Sequence, residues 1–467
     1  MKKITLSLVL LFCLGISGVQ AQYTLLHSFS GPDGSDPYGS LTQSGNTLYG
    51  VTTLGGAHGY GCLFSINVNG SGYRDMFDFS TPTGQFPMGK LVMAGNKFYG
   101  MAAGGGANND GLVFSIDTTG GGYIDLLDFN GTNGANPFGS IILANNKLYG
   151  MTFNGGAKSD GCIFSLNTNG TGYKTILNFN DTNGAYTEGT LLINGKVLYG
   201  MAQNGGTYSS GVIFSLDTDG SRYKNLYNFN DTNGAHPEGA LILSGHELFG
   251  MSYNGGGTNS GGTIFSLDTN GGNFRNLYDF LLATGSNPYG DLLLSNGVLY
   301  GMATAGGTGD SGVIFSMDTD GTAYTYLFGF NSNNGGLPRG DLTLYGGMFY
   351  GMTSAGGGSN DGVIFSFKPI ILGTENVETV SGSINIYPDP NKGMFAIALS
   401  HAELVSASQP IVEIYNTLGQ QVYSKSYQPS ANGYQRIDLN APAGVYLYRV
   451  VSANGELIGE GKLVVQK

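Results

Sequence analysis

The sequence predicts an all-β protein: a seven-bladed β-propeller followed by a small Ig-like β-sandwich. Three observations predict it. An aromatic-Gly pair recurs seven times, at Tyr49-Gly50, Tyr99-Gly100, Tyr149-Gly150, Tyr199-Gly200, Phe249-Gly250, Tyr300-Gly301 and Tyr350-Gly351, always 50 or 51 residues apart. Each interval holds four short β-type runs between turn signals and nothing with helical periodicity. The order of the runs is permuted: one fourth-strand run stands before the first complete set, and the last set lacks one.

The first stretch to place is the N-terminus. Lys2 and Lys3, the apolar run Leu6 to Ile16 and the small residues Val19-Gln20-Ala21 read as a signal peptide over 1–21. Phe12 is too bulky before Cys13 for lipoprotein processing. No later segment is long and apolar enough to span a membrane as a helix.

Residues 22–367 carry the repeat. In its third unit, strand A is expected over Ser140 to Leu143, B over Lys147 to Phe153, C over Cys162 to Leu166 and D over Tyr173 to Phe179. Four antiparallel strands per unit of about fifty residues is the make-up of a propeller blade. The D pattern, aromatic-x-x-apolar-x-x-Phe, starts at Tyr23 and ends with Tyr324 to Phe330, whereas the last A-B-C set, 340 to 367, has no D after it. The first D strand and the last A-B-C set are therefore expected to form one blade, which removes the open edge a ring would otherwise have.

The units, with their recurring Leu-Tyr-Gly-Met, Gly-Gly and Val-Ile-Phe-Ser segments, resemble the GloVer tandem repeat of secreted bacterial proteins. There is a looser likeness to kelch blades, although this chain has no Trp. The resemblance implies the fold and almost no chemistry.

Residues 368–383 lack the repeat and read as a linker. From 384 to 467 the chain resembles the C-terminal sorting domain of type IX secretion cargo, on Ile386 to Gly393, Val412 to Gln420, Gly444 to Val450 and Gly461 to Val465. Asp389 stands where the family usually has Asn. The resemblance implies a partner, the type IX secretion machinery, and export through the periplasm to the medium or the outer cell surface. Alternation at Val412, Ile414 and at Val445, Leu447 is expected to fill the sandwich core.

Composition bounds the chemistry. The 467 residues include 81 Gly, yet 40% are hydrophobic and 12% aromatic, so the Gly are turn residues of a folded chain. A net charge of −12 argues against nucleic acid and anionic membrane partners. The five His have no metal-ligand spacing, and no nucleophile elbow, phosphate loop or dinucleotide fingerprint appears; neither metal nor cofactor is expected. Cys62 and Cys162 hold the same repeat position two blades apart and read as small core residues. Asp217 to Gly220 and Asp318 to Gly321 faintly resemble calcium loops but sit where other blades place Asn turns.

The D–A loop is more informative. Its frame, Gly-x-x-Pro-x-Gly, is expected on the same face as the B–C loop, near the central channel. Thr187 replaces Pro in the fourth copy. Inside this frame the residue before the last Gly varies: Tyr38, Met88, Phe138, Glu188, Glu238, Tyr289, Arg339. Two positions earlier stand Asp36, Phe86, Asn136, Tyr186, His236, Asn287 and Leu337. A ligand site is expected at Tyr38, Phe138, Tyr186, Glu188, His236, Glu238, Tyr289 and Arg339, on exposed rim side chains, for an uncharged or weakly polar ligand such as a glycan. The expected function is a non-catalytic binding or interaction module. The alternative is a polysaccharide-acting enzyme with Glu188 and Glu238 as its acid pair. An unliganded rim is the bland explanation of the same residues.

Overall fold

The computed structural model describes residues 22–257 and 260–368, then 385–387, 394–398, 410–416, 420–428, 434–451 and 457–465. The predicted signal peptide and all but the first residue of the predicted linker lie outside them. The chain divides into two compact units between Ile370 and Ile371.

The first unit contains seven four-stranded antiparallel sheets. Blade 1 is Thr42–Ser44, Thr47–Val51, Cys62–Asn67 and Arg74–Asp78, paired in that order. Five further blades repeat it. In the seventh, Thr343–Tyr345, Met348–Thr353 and Val363–Lys368 are completed by the N-terminal strand Gln22–Ser28, which runs antiparallel to Val363–Lys368. Strand A is shorter than expected, Ile142–Ala144 in blade 3, because its start is the crowded centre of the ring. A Cβ on Gly139 would collide with the Gly189 carbonyl; the same holds from Gly39 through Gly89, Gly139, Gly189, Gly239 and Gly290 to Gly340, whose neighbour is Gly39 again. Only Gly lets seven backbones approach this closely.

Each repeat motif has a packing reason. Gly50 faces Phe64 across strands B and C, and a Cβ there would strike the ring; the same Gly–Phe pair recurs in every blade. The Gly thus makes room for the Phe that fills the blade interior. The last Phe of the D pattern is 0–1% exposed in all seven copies. Its first residue, Tyr in six blades, donates its hydroxyl to the D–A loop: Tyr123 to Thr83 O at 2.7 Å, Tyr223 to Asn183 O at 2.7 Å, Tyr23 to Asn334 O. In blade 5 Phe274 keeps the ring and lacks the hydroxyl.

The core lies in the seams between blades. Seven clusters fill seven seams, and the one closing the ring joins Phe29, Tyr350, Met352 and Ile364 to Leu41, Leu48, Phe64 and Ile66. Cys62 and Cys162 are buried free thiols at equivalent places, each beside a Thr hydroxyl (3.3 and 3.4 Å). Asp219 accepts from the Ser221 amide at 2.8 Å, as Asn69 does from Ser71, so the Asp-rich segments do the turn's work.

Among the described residues, the second unit has two sheets. Asn385–Tyr387, Met394–Ala398 and Tyr434–Asp438 form one; Gln421–Ser426, Ile411–Asn416, Gly444–Val451 and Leu457–Val465 form the other. Val412 and Ile414 enter its core as expected. Val445 and Leu447 do not: they are 44% and 52% exposed, and Tyr446 and Val450 are buried instead. Both faces of that strand carry apolar residues, so alternation alone leaves open which face turns inward.

Candidate functional site

The D–A and B–C loops share one face because they are bonded together. In each copy the residue two before the pre-glycine position donates its amide to the preceding blade's B–C loop: Asp36 to Asp361 O, Tyr186 to Asp160 O, His236 to Ser210 O. Its carbonyl accepts from the end of strand B in its own blade, as in Thr53 N to Asp36 O. The frame Pro packs on the last Gly of the preceding B–C loop in six copies; in the fourth, Thr187 donates instead to Thr152 O at 3.1 Å.

This double anchoring holds Asp36, Phe86, Asn136, Tyr186, His236, Asn287 and Leu337 in the left-handed region, φ 51–58°. Such a conformation is strained for Leu and Phe and persists because bonds on both sides fix it. It also turns the side chains into the blade seams. His236 Nδ1 lies 2.8 Å from Asn204 Oδ1, and Tyr186 packs on Phe153 with centroids 5.1 Å apart. Tyr186 and His236, expected in the ligand site, therefore stand outside the cavity.

The cavity lies where the seven pre-glycine residues converge. Its volume is about 320 Å³, and its lining is Tyr38, Met88, Phe138, Glu188, Glu238, Tyr289 and Arg339 with Tyr253 and Thr304. Six of the eight sequence-predicted residues meet here. Tyr253 and Thr304 directly follow strand B, three residues after the aromatic-Gly glycine. That position varies too (Thr53, Ala103, Phe153, Gln203, Tyr253, Thr304, Ser354), a signal the D–A loop comparison did not include.

The side chains are half-buried or, like Glu238, buried, and packed on each other rather than freely exposed. Tyr38 and Tyr289 meet edge to face at 5.7 Å, and Tyr253 meets Tyr289 at 6.2 Å. The Arg339 guanidinium lies 4.1 Å over the Tyr38 ring. Tyr289 of blade 6 reaches back to blade 4, donating its hydroxyl to Glu188 Oε2 at 2.5 Å. Gln203 Nε2 donates to Glu238 Oε1 at 2.8 Å.

Burial, then the charge of Glu188, push the Glu238 carboxyl up to about 8. Burial raises Glu188 as well, opposed by the Tyr289 hydroxyl. Burial lowers Arg339, and the Asp36 charge opposes that. The result is an acidic wall from blades 4 and 5 and a basic group from blade 7, joined by tyrosines.

Comparisons with known proteins follow the same division of the chain. The family described as Gloeobacter/Verrucomicrobia repeat matches residues 11–197 and 192–365. The secretion system C-terminal sorting domain matches residues 385–466. No curated protein matches. Among solved structures, PorZ, a surface component of the type IX secretion system of Porphyromonas gingivalis, is similar at 16% identity and TM-score 0.48. That likeness covers 94% of this chain and 61% of PorZ, so the chain spans less than two thirds of it. An oligogalacturonate lyase solved with manganese is 11% identical, over 75% of this chain and 93% of its own, at TM-score 0.49. The GH74 enzyme of Niastella koreensis is 12% identical, over 95% and 73%, at TM-score 0.49. With two repeat matches covering most of its length and a sorting domain that sends it out of the cell or to its surface, the chain belongs to the Gloeobacter/Verrucomicrobia repeat family and ends in a type IX secretion tail.

Proposed function

We propose that the propeller is a non-catalytic binding module, exported by type IX secretion, that takes a glycan at the mouth of its central channel. One observation carries this reading: seven loops with one backbone frame diverge in side chain where they converge on a cavity. A purely structural repeat is served by one good residue used seven times. The cavity offers flat aromatic walls and a few oriented polar groups, the chemistry that holds a sugar ring. The test is a glycan array probed with the purified full chain and with Tyr38→Ala/Phe138→Ala/Tyr289→Ala. Binding lost in the triple variant supports the site; a ligand held equally by both places it elsewhere.

A second reading, a polysaccharide-acting enzyme, is favoured by one observation. Glu238 is shifted up to about 8 beside a second carboxyl, as a general acid beside a base or nucleophile would be. Incubating any bound glycan with the protein and assaying new reducing ends separates the two. Turnover lost in both Glu188→Gln and Glu238→Gln establishes the enzyme; binding without cleavage establishes the module.

A further inference from the structure

Two polar atoms at the mouth have no partner, and their chemistry narrows the ligand. Glu238 is 7% exposed, and while Oε1 is bonded to Gln203, Oε2 has no hydrogen-bond partner. Arg339 Nε is likewise buried and unpaired. Buried polar atoms are almost always satisfied, so an orphan oxygen on a side chain that lines a cavity points to a ligand's donor. The orphan N–H two blades further round marks a place for an acceptor.

On the reading of the mouth as a glycan site, we propose that its acidic wall selects sugar units bearing a free amine, held as an ammonium between Glu188 and Glu238. An ammonium brings several donors, enough for Glu238 Oε2 and for a Glu188 oxygen. It also offsets the negative charge that two neighbouring carboxylates cannot otherwise carry together. A hydroxyl or an N-acetyl amide brings one donor and no charge. The rings of Tyr253 and Tyr289 add faces that attract a cation. Arg339 stands off on the Tyr38 ring, its charge opposed by Asp36, and its Nε–H is left for a sugar oxygen.

The titratable and charged groups around Glu238 are Glu188, Tyr253, Tyr289 and Arg339, with the neutral Gln203 on its bonded oxygen. At pH 6 Glu238 is protonated in the free protein, since its carboxyl is pushed up to about 8. An arriving ammonium ionises it, so binding releases about one proton.

The probes are glucosamine oligosaccharides and the same oligosaccharides N-acetylated, titrated calorimetrically into the full chain at pH 6 and 150 mM salt. Two buffers of different ionisation heat count the protons. The free-amine form is expected to bind at least about tenfold more tightly, with about one proton released. Glu188→Gln and Glu238→Gln should each remove that preference. The whole chain carries −12 and attracts any cation. Each variant changes that by at most one unit, so nonspecific attraction survives them and selective binding does not. Equal affinity for the two forms, or a preference untouched by both variants, overturns the inference and leaves the mouth a glycan site. Failure of both oligosaccharides and of every glycan on the array overturns the binding reading itself.

Discussion

Phe29→Ala tests whether the N-terminal strand is a full member of the seventh blade. Phe29 is 0% exposed, with ring centroids 5.4 Å from Phe64 and 6.0 Å from Tyr73 in blade 1. It thus fills the seam that closes the ring. Truncating a buried Phe costs about 3–5 kcal/mol through lost transfer energy and the cavity left behind. At roughly 2 °C per kcal/mol for a domain of this size, the melting temperature falls by about 6–10 °C. Phe129→Ala makes the same cut in the seam between blades 2 and 3, where Phe129 is also 0% exposed. Leu25→Ala, in the same N-terminal strand but 40% exposed, should stay within about 0.5 kcal/mol. Urea and thermal unfolding of the three variants read the result. A loss below about 1 kcal/mol for Phe29→Ala, with the full loss for Phe129→Ala, would refute closure by this strand.

Three other outcomes are expected. Gly139→Ala places a methyl against the Gly189 carbonyl in a ring that cannot widen and should cost about 1–3 kcal/mol or more, whereas Gly195→Asn should be neutral because Asn145 and Asn296 already take that turn position; unfolding midpoints compare them. Glu238 binds its proton more tightly folded than unfolded, so its contribution makes stability fall as pH rises from about 4.5 to about 8 and then level off; Glu238→Gln should flatten that slope and be the more stable form at pH 8 in melting curves. Deleting residues from 384 onward should leave the propeller inside the cell envelope, read by fractionation and surface labelling; normal delivery of the truncated chain counts against the sorting role.

Much of this architecture was legible because it repeats. Seven copies of the Gly-Phe pair, of the aromatic-x-x-apolar-x-x-Phe strand and of the Gly-framed D–A loop, with Pro in six of them, each answer to a packing contact, and the misplaced D strand announced the closure that the pairing of Gln22–Ser28 with Val363–Lys368 displays. What the sequence withheld was side-chain direction. Tyr186 and His236 vary as the mouth residues do, but a left-handed φ turns them into the seams. Tyr253 reaches the cavity from another part of its blade. Nothing in the composition announces that Tyr289 reaches from blade 6 to Glu188 in blade 4 or that Glu238 is buried with an oxygen unpaired. In the second unit, a strand apolar on both sides hid its inner face, and the tyrosines rather than Val445 and Leu447 took it.

The most direct test of the mouth as the binding site is a crystal structure of the full chain with the tightest-binding glycan from the array. The account predicts a sugar ring packed on Tyr38 or Tyr289, within hydrogen-bond reach of Glu238 Oε2. A ligand on the opposite face of the ring, or along the outer D strands with the mouth unoccupied, would contradict it.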